Sequence, residues 1–479
     1  MVQILNFIGG EFIAPHNNRW LDNINPATGE KYGTIPDSDE SDVALAVEKC
    51  RQVQSAWAGT PLDKKAEILQ RISDLILENL DRLAEAESID NGKPLALAKK
   101  MDIPRAAQNF SFFASALKHY DSEFYFDPPT TYSSVLRVPI GIVGCISPWN
   151  LPLYLFTWKI APAIAAGNCV IAKPSEVTPM TSYLLSEIVA EAGLPAGVLN
   201  IVHGSGPHTG NAIVAHPEIK AISFTGGTAT GAIIARTAAP MFKKLSLELG
   251  GKNPAVIFDD CDYDKMLSGT IRSSFTNQGQ ICLCTSRIIV QDTIYEQFKQ
   301  DFKARTESLR IGNPLLQETD QGALVSAPHL EKIDTAVKKA MTEGGHLITG
   351  GKKIEMNESK GYYFEPTILE NLGPDSLTNQ EEIFGPVVTL QSFHTKEEAL
   401  QLANNTKYGL AATVWSKDTN IIHYMSHHLE SGIVWVNCWL VRDLRTPFGG
   451  VKSSGVGREG GWDALRFFTE PRSITQIIS

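Results

Sequence analysis

Between about residues 139 and 250, short apolar runs alternate with longer stretches whose composition suits a helix. The apolar runs read IGIVGCI, NCVIAKP, VLNIVHG and AISFTGG. Such alternation is typical of a parallel sheet with helices on both faces, because parallel neighbours need a crossover connection. A second series begins near residue 250 and reads PAVIFDD, SRIIVQ, VVTLQSF, LAATVWS and GIVWVNC. The sequence therefore predicts an α/β protein with two doubly wound parallel-sheet domains.

The two series also predict domain boundaries. Residues 1–119 and 140–250 are expected to form one domain, and residues 251–455 another. Residues 120–137 and the last residues, SITQIIS, fit neither layer and are interpreted as strands free to pair with another subunit. A chain of 479 residues is long enough for two or three domains of ordinary size. The ligand cleft is expected near KLSLELGGKNP, between the two series, because α/β sheets bind ligands beyond the carboxyl ends of their strands.

Composition argues against several classes of partner. Acidic residues outnumber basic ones, 53 to 43, and the net charge is −10, so a nucleic-acid partner is not expected. The one membrane-like stretch, residues 138–158, is uncharged but interrupted by prolines, and is interpreted as strand, loop and helix. Seven cysteines without a recognisable secretion signal favour reduced thiols and a cytoplasmic location.

Two cysteines stand one residue apart in FTNQGQICLCTSR, at residues 275–287. A metal site is disfavoured, because the spacing is shorter than in common zinc sites and no second ligand pair follows. A redox pair is disfavoured because neighbouring strand positions point in opposite directions. Gly279 allows a ligand to approach the backbone before Cys282, whereas Cys284 leads into a strand. Cys282 is therefore a candidate nucleophile, with core packing of both cysteines as the alternative.

Two further polar residues stand at expected strand ends. Glu248 lies between Leu247 and Leu249, where burial would raise its pKa toward the range of a general base. A strand glutamate facing solvent is the alternative. Asn150, in the proline-bounded loop SPWNLP, could donate a hydrogen bond to an oxyanion, or simply cap the next helix.

Glycine-rich turns provide a signal for a nucleotide. Gly226 and Gly227 in FTGGTATG, and Gly206 in HGSGPHTG, follow strands and precede helices, where a phosphate can bind. Neither stretch is the G-x-G-x-x-G fingerprint, and each could be only a tight turn. Glu176, in AKPSE, is placed to accept hydrogen bonds from a ribose with help from Lys173, although an ion pair between them is the alternative.

Together these stretches strongly resemble the NAD(P)-dependent aldehyde dehydrogenase superfamily over essentially the whole chain. The matching motifs, in order, are SPWNLP, AKPSE, SFTGG, LELGGKNP, GQICLCTSR, EEIFGPV and PFGGVKSSGVGREGG. The resemblance implies that residues 1–119 and 140–250 bind NAD, that 251–455 form the catalytic domain, and that 120–139 and 456–479 form an oligomerisation element. It also implies a homo-oligomer, either a dimer or a tetramer.

The resemblance implies a role for each candidate. Cys282 would attack the aldehyde, Asn150 and the Cys282 backbone N–H would hold the oxyanion, and Glu248 would activate water. NAD would contact Trp149, Lys173, Glu176, Gly206, Gly226, Gly227, Glu382 and Phe384. A glutamate at 176 would repel a 2′-phosphate, which favours NAD over NADP. The family often has serine where Gly227 stands, so one hydrogen bond to the pyrophosphate is expected to be missing.

Two arginines indicate that the substrate aldehyde also carries a carboxylate, because a guanidinium binds both oxygens of a carboxylate. Arg105 follows Pro104 and is expected in the first turn of a helix, where the helix dipole does not favour a cation. Arg442 lies in CWLVRDLRTPFGG, where Asp443 could neutralise it. With MDIPRAAQNF and NLPLYLFTWKIAP, this stretch resembles the branch that oxidises 2-aminomuconate 6-semialdehyde or 2-hydroxymuconate 6-semialdehyde. That resemblance implies that a conjugated substrate chain packs against Leu155, Trp158 and Phe448.

Two other functions remain as alternatives. The first is a betaine-aldehyde or broad aliphatic aldehyde dehydrogenase, although unpaired arginines would repel a cationic aldehyde. The second is a non-catalytic nucleotide-binding relative. The presence of Cys282, Glu248 and Asn150 argues against that second reading.

Overall fold

The computed structural model describes residues 1–128, 131–356 and 359–477. Its strands are β1 (Val2–Gln3), β2 (Asn6–Ile8), β3 (Glu11–Ile13), β4 (Trp20–Asn25), β5 (Glu30–Pro36), β6 (Glu123–Asp127), β7 (Thr131–Pro139), β8 (Ile142–Ile146), β9 (Cys169–Lys173), β10 (Leu199–Ile201), β11 (Ile219–Thr225), β12 (Lys244–Glu248), β13 (Asn253–Ile257), β14 (Thr285–Gln291), β15 (His346–Thr349), β16 (Lys353–Met356), β17 (Ser359–Phe364), β18 (Thr367–Glu370), β19 (Val387–Phe393), β20 (Tyr408–Gly409), β21 (Ala411–Trp415), β22 (Ile433–Val436), β23 (Val451–Lys452), β24 (Gly455–Val456) and β25 (Thr469–Ile477).

The α-helices are α1 (Glu40–Ala58), α2 (Leu62–Glu78), α3 (Leu80–Asn91), α4 (Leu95–Leu97), α5 (Ile103–Leu117), α6 (Pro152–Ala165), α7 (Met180–Glu191), α8 (Asn211–Ala215), α9 (Thr228–Ala238), α10 (Tyr263–Phe275), α11 (Asp292–Glu307), α12 (Ala327–Thr342), α13 (Leu377–Gln380), α14 (Lys396–Asn404), α15 (Thr419–His428) and α16 (Gly461–Phe467). Short π-helical turns occur at Ala98–Asp102 and Gly206–Gly210, and 3₁₀ turns at Ala239–Met241 and Thr276–Gly279.

The first large sheet has the strand order β24-β12-β11-β8-β9-β10-β2-β3 within the described residues. Strands β12, β11, β8, β9 and β10 run parallel to one another. At the edges, β24 pairs antiparallel with β12, β2 with β10, and β3 with β2. Every residue of β8 and β9 is buried, because helices cover both faces of the sheet. The four apolar runs of the first series are thus the strands β8, β9, β10 and β11.

The second large sheet has the order β15-β18-β19-β14-β13-β21-β22 within the same residues. All neighbours from β18 to β22 pair in parallel, and β15 is antiparallel. Its parallel strands include all five apolar runs of the second series. The predicted α/β class with two doubly wound sheets is therefore confirmed.

A small third sheet joins distant parts of the chain in the order β25-β7-β6. Strand β25 pairs with β7 along its whole length, and β6 is exposed throughout. The segment predicted from residue 456 onward does not lie entirely in this sheet. Strand β24 pairs with β12 of the first large sheet, and Ala464 and Leu465 of α16 pack in the core beside that sheet. The predicted domain boundaries remain predictions.

The uncharged stretch at residues 138–158 continues from β7 through β8 into the first turns of α6. From residue 141 to 147, and again through the start of α6, its residues are buried inside the protein. Across residues 1–128, 131–356 and 359–477, no helix has both the length and the apolar character needed to cross a membrane.

Arg105 lies in the first turn of α5, as predicted, but α5 does not begin at a free helix end. The chain is already helical in α4, continues through the π-helical turn Ala98–Asp102, and passes without a break into α5. Pro104 has no N–H to donate to the preceding turn, and the wider π turn relieves the clash that its ring would otherwise make. A proline that looked like a helix start therefore lies inside a helical segment.

Four neighbouring parallel strands end at one edge of the first sheet. Lys173 at the end of β9 pairs with Ile146 of β8, and Ile146 pairs with Phe224 of β11. Thr225 in turn pairs with Glu248, the last residue of β12. The loops that follow these strands must therefore converge, and this edge is where an α/β sheet binds ligands.

Candidate active site

A cavity of about 240 Å³ opens at this edge. It is lined by Pro148, Trp149, Asn150, Thr225, Gly226, Gly227, Leu249, Gly250, Cys282, His329, Lys332, Glu382 and Phe384. Two of the three predicted catalytic residues therefore meet five of the predicted cofactor contacts within one cavity. Its walls come from loops of the first sheet and from segments around the second, so the cavity lies between the two sheets.

The turn before Cys282 has an unusual backbone. Asn277 and Gln278 both have φ of 55°, and Gly279 has φ of 68°. A β-carbon at Gly279 would lie 2.2 Å from the carbonyl oxygen of Gly385, so only glycine fits without a shift of the backbone. The Asn253 side-chain amide then donates a 2.7 Å hydrogen bond to the Cys282 carbonyl. The loop that carries Cys282 is thus held from both sides.

The two cysteines of the pair have different surroundings. Cys282 is partly exposed and lines the 240 Å³ cavity. Cys284 is 7% exposed and packs in an apolar cluster, with its thiol 3.7 Å from the Thr276 carbonyl. The core alternative therefore describes Cys284, whereas Cys282 is available to a ligand.

The Cys282 thiol is neutral at rest. Burial, followed by the negative charges of Glu382 and Glu248, raises the pKa of this thiol, and the Arg442 guanidinium opposes the shift. A change that brings positive charge into the site or neutralises these acids would therefore lower the thiol pKa. Activation of the sulfur depends on what else occupies the cleft.

Glu248 is 3% exposed, so it does not face solvent as the alternative interpretation required. Neither of its carboxyl oxygens has a hydrogen-bond partner among the described residues. Burial, then the charge of Glu459, raises the pKa of Glu248 well above its ordinary value, and nearby cations oppose the shift in part. A buried carboxyl group with a raised pKa is a stronger base than an exposed glutamate, which suits it to accept a proton.

Asn150 lies in the loop between β8 and α6 and is 2% exposed. The first residue before α6 is Leu151, and no side chain caps that helix, so Asn150 is not the helix cap. Its backbone carbonyl accepts hydrogen bonds from Lys93 Nζ at 3.1 Å and from Asn277 Nδ2 at 2.9 Å. Asn277 therefore links the Asn150 loop to the turn before Cys282.

Aromatic rings form one wall of the cavity. The ring centroids of Trp149 and Phe384 are 5.2 Å apart and nearly perpendicular, and His329 lies 5.0 Å from Trp149. Burial lowers the pKa of His329 to about 4, so it is neutral and its Nε2–H can donate the 2.8 Å hydrogen bond to the Phe384 carbonyl. Neither His329 nor Lys332 was predicted, because nothing local in SAPHLEKI distinguishes them from ordinary helix residues.

Glu382 sits where the two glycines of LELGGKNP make room for it. Its carboxylate accepts a 2.9 Å hydrogen bond from the Gly251 N–H. A β-carbon at Gly250 would lie 2.4 Å from the same carboxylate, so a larger residue there would displace it. Burial raises the pKa of Glu382. The carboxylate is thus fixed by backbone contacts at the rim of the cavity, in reach of a ligand hydroxyl.

The glycines after β11 leave space at a helix start. Gly227 immediately precedes α9 and has nothing within 4 Å of its open side, whereas Gly226 is packed on the Phe224 ring. Free backbone N–H groups at the start of a helix are suited to a phosphate.

Lys173, Glu176 and Gly206 lie outside the 240 Å³ cavity, next to the end of β9. Lys173 Nζ is 3.1 Å from the Glu176 carboxylate, so the ion pair that was the alternative interpretation does form. Burial raises the pKa of Glu176, but Lys173 and backbone N–H donors, among them that of Gly206, lower it by more. Glu176 is therefore a carboxylate, and about a third of its side chain stays exposed to accept further hydrogen bonds.

A second cavity, of about 420 Å³, is lined by Lys100, Met101, Pro104, Arg105, Gln108, Tyr154, Arg272, Leu440 and Arg442. No carboxylate contributes to its wall in the part of the chain that the structure describes. Arg105 lies over the Tyr154 ring at 5.5 Å and bonds to the neutral Gln108. Lys100 and Arg272 were not predicted, because neither of them stands inside a motif.

Arg442 connects this second cavity to the thiol. Its guanidinium lies 4.0 Å from the Phe448 ring centroid and 5.3 Å from that of Trp158. Its Nη2 is buried without a hydrogen-bond partner among the described residues. Its charge also acts on the titration of Cys282. Arg442 thus lies near the sulfur with an unsatisfied donor.

Asp443 does not neutralise Arg442. It forms an ion pair with Arg445 at 2.6 Å, on the exposed side of the loop. The predicted chain contacts Leu155, Trp158 and Phe448 belong, with Cys282 and Tyr154, to one apolar cluster. The substrate side therefore combines an apolar wall with unpaired cations.

Comparison with known proteins agrees with this geometry. The aldehyde dehydrogenase family matches residues 12–474, and the chain belongs to that family. It is thus an oxidoreductase that acts on aldehydes, which confirms the recognition and the enzyme class expected from the motifs.

Individual relatives are similar to this chain over nearly its whole length. The chain is 48% identical to the 2-aminomuconic semialdehyde dehydrogenase of Bos taurus, over 99% of this chain and 98% of that protein. It is 44% identical to a 2-hydroxymuconic semialdehyde dehydrogenase of Pseudomonas sp., over 99% of both chains. Among solved structures, the NAD⁺ complex of an aldehyde dehydrogenase from Bacillus cereus superposes with a TM-score of 0.97 at 34% identity, covering 100% of this chain and 97% of that one.

Proposed function

We propose that this chain oxidises a semialdehyde that also carries a carboxylate to the dicarboxylic acid, with NAD as the acceptor. The substrate is 2-aminomuconate 6-semialdehyde or 2-hydroxymuconate 6-semialdehyde, in keeping with the names of the two relatives above. The observation that carries this proposal is the second cavity, whose described wall contains Arg105 and Arg442 but no carboxylate. Unpaired guanidinium groups beside an apolar wall suit an unsaturated chain that ends in a carboxylate.

The side chains support a covalent route. The Cys282 thiol first loses its proton to solvent in the cleft, and the resulting thiolate adds to the aldehyde carbon. The developing oxyanion accepts hydrogen bonds from the Asn150 amide and the Cys282 N–H. Bound NAD supplies the acceptor for the hydride that leaves the same carbon. Glu248 then takes a proton from water as the water attacks the thioester, and the carbon–sulfur bond breaks to release the acid. Its raised pKa matches that task.

The cofactor side fits a dinucleotide. The open side of Gly227 at the start of α9 leaves room for a phosphate, Trp149 and Phe384 present rings to a planar group, and Glu382 is held where a ribose hydroxyl can reach it. Glu176 would hold the adenosine ribose and repel a 2′-phosphate, since it is ionised. NAD is therefore the proposed cofactor in preference to NADP.

The proposed assembly is a homo-oligomer, a dimer or a tetramer. Strand β6 exposes Phe124, Tyr125 and Phe126, and β25 of the same sheet exposes Ile474 and Ile477. A second copy of the chain would cover this apolar surface. The free cysteines favour a reducing compartment, and we propose the cytoplasm.

The test is NADH formation, followed at 340 nm, with a panel of aldehydes. We expect kcat/KM for an enzymatically generated ring-cleavage semialdehyde to exceed that for betaine aldehyde by about 100-fold or more, because charge complementarity changes sign between them. Faster turnover of betaine aldehyde would favour the rival dehydrogenase. Absence of NADH with every aldehyde would favour the non-catalytic relative. Replacing NAD by NADP in the same assay tests the cofactor.

A further inference from the structure

A fully buried lysine lies behind the Asn150 loop. Lys93 is 0% exposed, as are its two carboxylate neighbours, Glu87 and Asp102. Its Nζ is 2.8 Å from Asp102 Oδ1, 3.5 Å from Glu87 Oε1 and 3.1 Å from the Asn150 carbonyl oxygen. The three protons of one ammonium group thus meet three acceptors on three segments of the chain.

The acceptors belong to elements that build the active site. Glu87 is on α3, and its other carboxyl oxygen accepts a 3.3 Å hydrogen bond from the Leu153 N–H at the start of α6. Asp102 ends the π-helical turn that leads into α5, three residues before Arg105. Lys93 therefore cross-links the loop of Asn150 to the helices that carry the substrate-side residues.

Stability alone is a weak reason for this arrangement. Removing an ammonium and carboxylates from water has a cost that their attraction often fails to repay, and apolar replacements can be equally stable. Burial raises the pKa of Glu87 to about 7, which is a sign of that cost. A buried ionic group of this kind is better explained by the geometry that it imposes.

We propose that Lys93 is a positioning residue for Asn150. By binding the carbonyl oxygen of Asn150, the ammonium fixes the backbone of a residue that lines the same cavity as Cys282. The inference rests on the proposed role of Asn150 as an oxyanion donor. Asn277 and Asn91 also donate to this oxygen, at 2.9 and 3.5 Å, but they are neutral amides, and a hydrogen bond from a charged donor is roughly twice as strong.

The test begins with a background in which removal of the ammonium leaves no buried carboxylate without a cation. Lys93→Met alone would leave two buried carboxyl groups without a cation and could prevent folding. We therefore compare the double variant Glu87→Gln/Asp102→Asn with the triple variant that adds Lys93→Met. The two proteins differ only in the ammonium group that reaches Asn150.

Each variant is measured as the single-turnover rate of NADH formation at saturating aldehyde and NAD. The triple variant is expected to react about 10- to 100-fold more slowly than the double variant, with KM for the aldehyde and affinity for NAD changed less than about threefold. Lys65→Met is the matched control, because Lys65 is also buried and donates to a backbone carbonyl, that of Ala58, away from the site. It should keep the wild-type rate.

Combining these variants with Asn150→Ala distinguishes a positioning role of Lys93 from general support of the fold. Asn150→Ala by itself should lower the rate by about 10²- to 10³-fold. In the Asn150→Ala background, adding Lys93→Met to the double variant should change the rate less than about twofold, because the side chain that Lys93 positions is absent. If the effects of Asn150→Ala and Lys93→Met on the rate multiplied, or if the double and triple variants reacted at equal rates, the positioning role of Lys93 would be overturned. The proposed function would not be affected. A fully active Asn150→Ala protein would overturn the proposed oxyanion role and this inference with it.

Discussion

The two cavities beside Cys282 are built in different ways. The 240 Å³ cavity has walls of glycine backbone, aromatic rings and a buried carboxylate, and its lining includes one lysine among the described residues. The 420 Å³ cavity is lined by long cationic side chains with no carboxylate in the described wall. The first excludes side chains so that a ligand can approach the backbone, whereas the second presents charges to a ligand. Cys282 lines the first cavity, and Arg442 of the second cavity acts on its thiol through charge.

The largest expected effect is at the Cys282 sulfur, which lines the 240 Å³ cavity. Cys282→Ser should lower NADH formation by about 10⁴-fold or more, because a hydroxyl is a far weaker nucleophile than a thiolate. Binding of NAD, followed by quenching of tryptophan fluorescence, should change less than about threefold. Cys284→Ser is the control and should keep most activity, since Cys284 packs in the core. The reverse pattern would show that Cys284, and not Cys282, is the nucleophile.

On the charge-bearing side, Arg442→Ala should lower kcat/KM for the carboxylated semialdehyde by about 100-fold. An uncharged aliphatic aldehyde should lose less than about threefold, because it makes no ionic contact. Arg445→Ala is the matched control: its guanidinium is in the same loop, 81% exposed and paired with Asp443. Equal losses for both aldehydes would show that Arg442 supports the fold of the site and does not select the substrate.

On the cofactor side, Glu176→Gln should raise the ratio of kcat/KM with NADP to that with NAD by about tenfold, because it removes one negative charge near the 2′-position. The aldehyde selectivity of the enzyme should stay the same, which would separate the two cavities experimentally. Glu187→Gln serves as the control, since Glu187 is exposed and pairs with Arg82. An unchanged ratio would mean that Glu176 does not contact the ribose.

The smallest expected effect concerns stability beside the cofactor cavity. Lys252 is 1% exposed, its Nζ has no hydrogen-bond partner among the described residues, and burial lowers its pKa to about 7. Between about pH 7 and 10.5 the unfolded chain binds a proton that the folded protein does not, so stability rises with pH. Lys252→Met should therefore raise Tm by about 2–4 °C at pH 7, and the gain should vanish near pH 10.

Thermal unfolding of the protein without ligand, from pH 6.5 to 10, is the measurement. Lys64→Met is the control, because Lys64 is exposed and its removal should leave the pH dependence of Tm unchanged. If Lys252→Met keeps the same slope of Tm against pH as the wild type, Lys252 is not the group that titrates.

Much of the cofactor side could be predicted because its parts are contiguous in the chain. Asn150 and Trp149 stand in one short loop, and Gly226 and Gly227 immediately follow a strand. Each motif contains its own backbone requirement, such as the positive φ at Gly279. Local chemistry was enough to single out these positions, and the topology then brought them to one edge.

The substrate side was harder to predict because its cations come from separate segments. Arg272 lies on α10 and Lys100 in a π-helical turn, and neither stands in a motif. The same limit applies to the support of Asn150, since Lys93 is 57 positions away from it. Arg105 was assigned correctly to the first turn of α5, but the helical turns before it were not expected, because a proline near a helix start usually marks a free helix end.

By itself, the sequence determined the succession of strands and helices, the turn that presents Cys282 and the glycines that admit a ligand, because these depend on residues close together in the chain. Only the tertiary structure decided which charges are paired. Asp443 is paired with Arg445, Arg442 Nη2 has no hydrogen-bond partner among the described residues, and burial raises the pKa values of Cys282 and Glu248. Burial and the distance between charges set these states, and both are properties of the folded chain.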